Sequence, residues 1–118
     1  MRIALTAFTR RGGGLARTLA QDLEEEGHTC TLACPKRLEE VLAFPGAYER
    51  VGEWAGARFS DSGALLFVGA SGIAVRAIAP YVRDKPTDPA VVSVDEAGRF
   101  AVPLLSGHVG GANDLARR

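Results

Sequence analysis

Three times the sequence places a glycine-rich turn between a short apolar run and the start of a helical pattern. The turns are residues 9–14 (TRRGGG), 69–72 (GASG) and 106–111 (SGHVGG). The run before the second turn, 64–68 (ALLFV), is wholly apolar, as is typical of a parallel strand covered on both faces. Strands that alternate with helices predict βαβ units and an α/β domain. Ligands of such open sheets bind at the carboxyl ends of the strands, where the three turns are expected to meet along one edge.

Hydrophobic periodicity predicts the order of the elements. Strands are predicted at residues 2–8, 29–34, 64–68, 90–95 and 100–105, and helices at 15–26, 36–44, 51–59 and from residue 73. The short connection between the last two strands predicts an antiparallel hairpin, and Pro103 places the last strand at an edge or at a bulge. The fold class is therefore α/β: a three-layer, open, mostly parallel sheet of the flavodoxin or Rossmann type, with a β-hairpin near the C-terminal end.

Two local predictions concern the middle of the chain. Pro45-Gly46 is expected to form a turn between two helices. In the helix after residue 72, the apolar face is expected to hold Ile73, Ala77, Ile78 and Tyr81. Pro80 should end or kink that helix, because proline has no backbone donor.

Composition excludes several classes of partner for the 118 residues. Lys+Arg and Asp+Glu both total 14, and a formal charge of zero gives no general attraction to nucleic acid or anionic lipid. No apolar run approaches the roughly 20 residues that span a bilayer, and the first residues do not resemble a signal peptide. We therefore expect a cytoplasmic protein with no nucleic-acid or membrane partner; a homodimer is a possible assembly.

The two cysteines and a nearby histidine do not predict a metal site. His28, Cys30 and Cys34 would share one face of an extended strand. Their spacing is not the C-x-x-C of zinc sites, and the sequence offers no clear fourth ligand. We expect buried thiols on a core strand instead, and no metal held by the protein.

The glycine-rich turns and nearby cations predict a binding site for a polyanion. Glycine allows close approach of the backbone, helix N-termini favour anions, and the planar fork of arginine matches a carboxylate. Cations flank the first turn (Arg10 and Arg11) and the second (Arg76, Arg83 and Lys85). The predicted substrate-binding residues are Thr9, Gly12, Gly13, Gly69, Ser71, Gly72, Arg76, Lys85, Gly107, Gly110, Gly111 and Asn113. No turn matches a nucleotide-binding fingerprint, so nucleotide binding is supported only by the general fold.

Candidate catalytic residues lie near the third turn and the predicted hairpin. They are His108, Asp95, Glu96 and Ser106, with Asn113 and Asp114 as further candidates by chemistry alone. Ser106 is not in a G-x-S-x-G elbow, which disfavours a covalent serine mechanism. His108 suits an acid–base group, although a histidine that caps the loop or the next helix explains the same residue.

Five segments together resemble the N-terminal domain of the CbiG family of cobalamin-biosynthesis proteins. They are residues 72–80 (GIAVRAIAP), 84–85 (DK), 88–92 (DPAVV), 94–100 (VDEAGRF) and 104–113 (LLSGHVGGAN). The resemblance runs from about Leu65 to Ala116, whereas residues 1–64 fit only in their strand–helix pattern and in the turn from Thr6 to Gly14.

The resemblance implies a hydrolase acting on carbon–carbon bonds in the anaerobic pathway, cobalt-precorrin-5A hydrolase. That enzyme opens a δ-lactone and releases acetaldehyde. Its corrinoid substrate bears many carboxylates, in agreement with the arginines, and contains its own cobalt, so no further cofactor is expected.

Family members are longer than this chain. Residues 1–118 are accordingly expected to form one N-terminal α/β domain that stops before the central and C-terminal regions, and to be inactive alone. The alternative is a non-catalytic module that binds a corrinoid or docks on the catalytic portion. Convergence of His108 and the acidic residues on the same cleft as Arg76 would favour the enzyme.

Overall fold

A computed structural model describes residues 1–84 and 87–105. The strands are β1 (Arg2–Ala7), β2 (Thr29–Pro35), β3 (Gly46–Tyr48), β4 (Ala64–Val68), β5 (Ala90–Val94) and β6 (Ala101–Leu105). The helices are α1 (Arg10–Glu25), α2 (Glu39–Leu42), α3 (Val51–Asp61) and α4 (Ser71–Ile78), with 3₁₀ turns at Lys36–Leu38 and Ala79–Tyr81. This order confirms the predicted alternation of strands and helices.

Within these residues the six strands form one sheet in the order β3-β2-β1-β4-β5-β6. Neighbours from β3 to β5 are parallel, and β6 runs antiparallel to β5, which confirms the mostly parallel sheet and the hairpin. Pro103 lies on the edge strand β6, beside a register shift between Val91 and Val92. The chain thus places its proline where a missing backbone donor costs least.

Helices cover both faces of the sheet and make three layers. On one face, Ile3 and Leu5 of β1 pack with α1 and α2; on the other, Ala4 packs in the cluster that contains Trp54 of α3 and Ile78 of α4. All five residues of β4 are buried, as predicted for a strand covered on both sides. Burial of each large apolar side chain contributes about 1.5–3 kcal/mol, so this central strand anchors both layers.

The first glycine-rich segment is helical, whereas the sequence pattern predicted a turn with the helix beginning near residue 15. Helix α1 begins at Arg10 because Thr9 is its N-cap: the Thr9 Oγ1 accepts a hydrogen bond from Gly12 N at 2.9 Å. Gly12 and Gly13 are buried, and a side chain at Gly13 would overlap Leu42 of α2. These glycines therefore allow close helix packing. The predicted stop is confirmed, since Gly27 has a φ of +98° just after the helix.

Two local predictions were incomplete. The predicted turn at Pro45-Gly46 leads directly into β3, a three-residue edge strand too short to give a periodic pattern. In α4 the inner face holds Ala74, Ala77 and Ile78, whereas Ile73 is 38% exposed. Ala74 and Ala77, and not Ile73, face the sheet next to Ile78, because small side chains allow the helix to pack close to the sheet. Helix α4 ends at Ile78 and gives way to a 3₁₀ turn that contains Pro80, as predicted.

Candidate functional site

The sheet has a topological switch point between β1 and β4, because the strand order runs outward from β1 in both directions. Strands β1 and β4 are adjacent and parallel, yet the helices that follow them, α1 and α4, cover opposite faces. Ligands of open α/β sheets bind at such a switch point, outside the carboxyl ends of the strands. We call this the switch-point crevice; residues 8–11 and 69–72 flank it. The first two glycine-rich segments therefore share one edge, as predicted.

The strand that leads to the third turn ends at the opposite edge. In the β5–β6 hairpin, Ala101 pairs with Val94 at the carboxyl end of β5, and Leu105 pairs with Val91 near its start. The expectation that all three turns follow strands at one edge is therefore wrong for β6, because a hairpin reverses the chain. The turn itself lies outside the described residues. So do these predicted site residues: Lys85, Ser106, Gly107, His108, Gly110, Gly111, Asn113 and Asp114.

Thr9 and Glu96 meet at the switch-point crevice although they are far apart in sequence. The Thr9 hydroxyl donates a hydrogen bond to Glu96 Oε2 while accepting one from Gly12 N. Glu96 belongs to the connection between β5 and β6, so the hairpin reaches across β4 to the start of α1. A carboxylate there is favoured by the positive end of the helix dipole. The structure thus joins a predicted catalytic residue to two predicted substrate-binding residues.

Asp95, the neighbour of Glu96, closes the hairpin turn with its carboxylate. Its Oδ1 accepts a hydrogen bond from Phe100 N at 2.7 Å, and its Oδ2 accepts one from Ala97 N at 3.3 Å. The hydrogen bond from Phe100, with weaker ones from the same turn, lowers the pKa of Asp95. Gly98, with φ of +72°, completes the turn. Asp95 therefore shapes the loop that presents Glu96.

The second glycine-rich segment fixes the other wall of the crevice. Gly69 N donates to Val94 O at 2.8 Å, and the Ser93 hydroxyl donates to Gly69 O at 3.2 Å. A Cβ at Gly69 would lie 2.9 Å from the ring of Phe8, so this position has room only for glycine. Ser71 and Gly72 are exposed at the start of α4, where the Ala70 N-cap supplies no side-chain hydrogen bond. The backbone there is open to a ligand.

The predicted cations divide between two edges. Arg10 and Arg11 are exposed in the first turn of α1, and Arg76 is exposed on α4. Arg76 lies in the last turn of α4, away from the start of that helix at the carboxyl edge. Arg83 follows α4 near the start of β5, where its backbone N–H donates a hydrogen bond to Asp88 Oδ2 at 2.8 Å. Lys85, the third cation of that predicted cluster, lies outside the described residues, and the grouping stays a prediction.

Sequence reasoning missed Arg37. It lies in the 3₁₀ turn after β2, and its Nη2 donates to Phe8 O at 2.7 Å, at the carboxyl end of β1. The available signal was weak: a basic pair, Lys36-Arg37, directly after a predicted strand. Because β1 and β2 are parallel neighbours, that position lies at the same edge as the crevice.

The cysteines occupy strand β2, as predicted. Cys34 is fully buried and Cys30 is half-buried, and burial raises the pKa of both thiols.

In the part of the chain that the structure describes, no group of three or more His, Cys, Asp or Glu side chains could hold a metal ion. No helix among residues 1–84 and 87–105 is long and apolar enough to cross a bilayer.

Comparison with solved structures supports the fold. A cobalamin biosynthesis protein G homologue from Sulfolobus solfataricus superposes with a TM-score of 0.74 and 24% identity, over 98% of this chain and 32% of the other. The shared architecture is the α/β sheet with helices on both faces.

Curated relatives are similar over almost the whole chain. The cobalt-precorrin-5A hydrolase of Salmonella typhimurium is 45% identical over 115 residues, which are 98% of this chain and 31% of that protein. The enzyme of the same name from Priestia megaterium is 33% identical over 117 residues, 97% of this chain and 30% of that protein. The chain thus spans about a third of the length of these relatives. The family model described as "Cobalamin synthesis G N-terminal" matches residues 53–118, more than half of the sequence, and the chain belongs to that family.

Proposed function

We propose that this chain is the N-terminal domain of a cobalt-precorrin-5A hydrolase and supplies part of its corrinoid site. The observation that supports this most directly is the switch-point crevice, where Thr9, Glu96 and open backbone lie beside exposed arginines. Relatives of that name match this chain from end to end. The cobalt belongs to the substrate, and we propose no resident cofactor. We also propose a cytoplasmic location, in agreement with a small soluble substrate.

The reaction constrains which groups the site must offer. Water adds to the lactone carbonyl and the ring C–O bond breaks, which frees a carboxylate and a hydroxyl. Loss of the hydroxyl proton then allows the C–C bond to break, so that acetaldehyde leaves and the macrocycle takes up a proton. These steps need a base and an acid within hydrogen-bond reach. Glu96 is the described candidate at the crevice. His108 and Ser106 stay proposed for the same chemistry, and Asp95 for a supporting role through its turn.

Binding of the substrate carboxylates is the part that this domain is best suited to provide. Arg10 and Arg11 are exposed near the crevice, and neither has an ion-pair partner among the described residues; Arg76, in the last turn of α4, stays a proposed contact for a more distant carboxylate. A guanidinium can bind a carboxylate through two parallel hydrogen bonds. Gly69, Ser71 and Gly72 would allow the macrocycle edge to approach the backbone, whereas the predicted binding residues Gly12 and Gly13 are buried within the fold.

A second candidate function, a corrinoid-binding module without catalytic groups, is favoured by one observation. Strand β6 ends at the edge opposite the crevice, away from the Thr9–Glu96 contact. In that case the remaining regions of a longer protein would supply the chemistry. Either way, we expect the 118-residue chain alone to release no acetaldehyde at a useful rate, because half of a cleft holds the lactone loosely.

The experiment measures acetaldehyde release from cobalt-precorrin-5A by a full-length polypeptide that contains this domain. Glu96→Gln keeps the shape of the side chain but removes its base, and we expect a loss of about 100-fold or more in rate. Arg83→Ala, at the opposite edge, is the matched control and should retain activity. If substitutions at the crevice weaken corrinoid binding but leave the rate of acetaldehyde release at saturating substrate unchanged, the binding module is correct. If Glu96→Gln keeps full activity, the base lies elsewhere.

A further inference from the structure

Arg37 lies at the carboxyl end of β1, at the edge of the switch-point crevice, and is an arginine outside the predicted binding residues. Its 3₁₀ turn follows β2, and its Nη2 donates to the carbonyl oxygen of Phe8 at 2.7 Å. Phe8 is the residue between β1 and the N-cap of α1, and its ring lies against Gly69 across the crevice. The guanidinium is therefore held at the carboxyl end of β1, at the residue that precedes Thr9.

The hydrogen bond to Phe8 fixes the guanidinium without neutralising it. Arginine has five N–H donors and stays protonated, and the one hydrogen bond of Arg37 to the described residues uses a single donor. No carboxylate of the described chain lies within ion-pair distance of Arg37. The residue is exposed, so its remaining donors are open to a ligand. A guanidinium that is anchored and has no ion-pair partner loses less side-chain entropy on binding a carboxylate than a freely moving guanidinium would.

Arg17 shows what a purely structural arginine looks like in this molecule. Its Nη2 also donates to a backbone carbonyl, that of Leu42. Its guanidinium, however, lies over the ring of Phe44, 5.0 Å from the ring centroid, and so joins α1 to α2. Arg37 has the same kind of backbone anchor, but no aromatic ring among residues 1–84 and 87–105 covers it. The difference separates an arginine used in packing from one available to a ligand.

We infer that Arg37 binds one of the peripheral carboxylates of the corrinoid macrocycle and so helps to orient it in the switch-point crevice. This rests on the proposed function, which supplies the class of ligand. Arg10 and Arg11, at the adjacent start of α1, add positive charge on the same side of the crevice. The acetate and propionate groups of a corrinoid project from the rim of the ring, so a rim of separate cations fits it better than one deep pocket.

The test compares two probes that differ only in charge: cobyrinic acid, with free carboxylates, and its fully esterified derivative. Both are titrated into the full-length protein by equilibrium dialysis, read from the visible absorbance of the corrinoid. Arg37→Ala should raise the Kd of the acid about tenfold, the loss of one charge-assisted hydrogen bond at an exposed site. Arg37→Lys, which keeps the charge and loses the fork, should raise it about threefold. Arg83→Ala is the control for loss of a cation at the opposite edge.

A structural role for Arg37 predicts a different pattern from a binding role. If Arg37 only supports the β1 end, Arg37→Ala lowers the midpoint of thermal unfolding and weakens binding of acid and ester alike. If it binds a carboxylate, the affinity for the ester stays unchanged and only the preference for the acid falls. Equal effects of Arg37→Ala and Arg83→Ala would overturn the assignment alone. Failure of the unsubstituted protein to bind the acid would instead overturn the proposed substrate, and the assignment with it.

Discussion

The charged side chains at the two edges of the sheet differ in the partners that they contact. At the amino edge, Arg58 donates to both carboxylate oxygens of Asp61 at 3.0 and 2.9 Å. The carboxylate of Asp88 accepts hydrogen bonds from the backbone N–H groups of Arg83 and Asp84. At the carboxyl edge, the cations of the crevice have no ion-pair partner within the described residues; they are Arg10, Arg11 and Arg37. The partner is a charged side chain for Asp61 and the backbone for Asp88; one exposed ion pair, Lys36–Glu49 at 3.4 Å, lies toward the carboxyl edge beyond the crevice. Unpaired charges of one sign, gathered at a switch point, are the ones available to a ligand.

Helix α1 makes the same contrast within one element. Arg10 and Arg11 lie in its first turn and Glu24 and Glu25 at its end, with no acidic residue in the first turn and no basic residue in the last. This order opposes the helix dipole, which favours the reverse placement by about 0.3–1 kcal/mol for each charge. The arrangement lowers the stability of the helix, but it places positive charge at the crevice and negative charge at the opposite edge.

The largest effect is expected where α1, which contains two of the cations, packs against α2. Gly13→Val should lower the free energy of unfolding by about 2 kcal/mol, because the new side chain would overlap Leu42. Gly14→Val is the matched control: nothing lies within 4 Å of a Cβ at Gly14, so stability should rise by a few tenths of a kcal/mol or stay unchanged. Urea denaturation of both variants measures the difference. Equal stabilities of the two variants would show that α2 can shift away from α1 at little cost in free energy.

How much of this edge could be predicted depends on the range of the interactions. The wholly apolar run of β4 and the glycine stop at Gly27 are local signals, and both were predicted correctly. The Thr9–Glu96 contact joins residues 87 apart, and the Arg37–Phe8 contact joins residues 29 apart. Such contacts follow from strand order, which periodicity does not encode. The hairpin was predicted, and its consequence, that β6 ends at the far edge, follows from the reversal of the chain; the prediction of one shared edge did not take it into account.

The next prediction separates stability from binding. Replacing Arg10 and Arg11 together by Gln should raise the free energy of unfolding by about 0.5–1 kcal/mol at low salt, because two charges that oppose the helix dipole are removed. The same variant should bind cobyrinic acid more weakly. Glu24→Gln with Glu25→Gln is the control, since it removes the opposing charges at the other end. It should raise stability similarly and leave binding unchanged. A loss of stability in the arginine variant would mean that these residues support the fold after all.

The smallest effect concerns the paired amino edge and its pH dependence. Burial alone would raise the pKa of Asp61, but hydrogen bonds from Ser62 and Arg58 outweigh it and lower the pKa below 3.8. A carboxylate with a lowered pKa in the folded state stabilises the protein above its unfolded pKa, and this contribution is lost as the pH falls through the folded value.

Arg58→Gln should therefore lower the free energy of unfolding by about 0.3–0.5 kcal/mol at pH 7, as is typical of a helical surface pair, and by nothing once Asp61 is protonated. Thermal unfolding between pH 7 and pH 2 measures this convergence, and Asp61→Asn should remove the effect of Arg58→Gln at every pH. Arg37→Gln is the counterpart at the carboxyl edge, where no carboxylate is paired with the cation. Its difference from the unsubstituted protein should not change with pH. A pH-dependent difference for Arg37→Gln would reveal a hidden acidic partner and erase the contrast between the two edges.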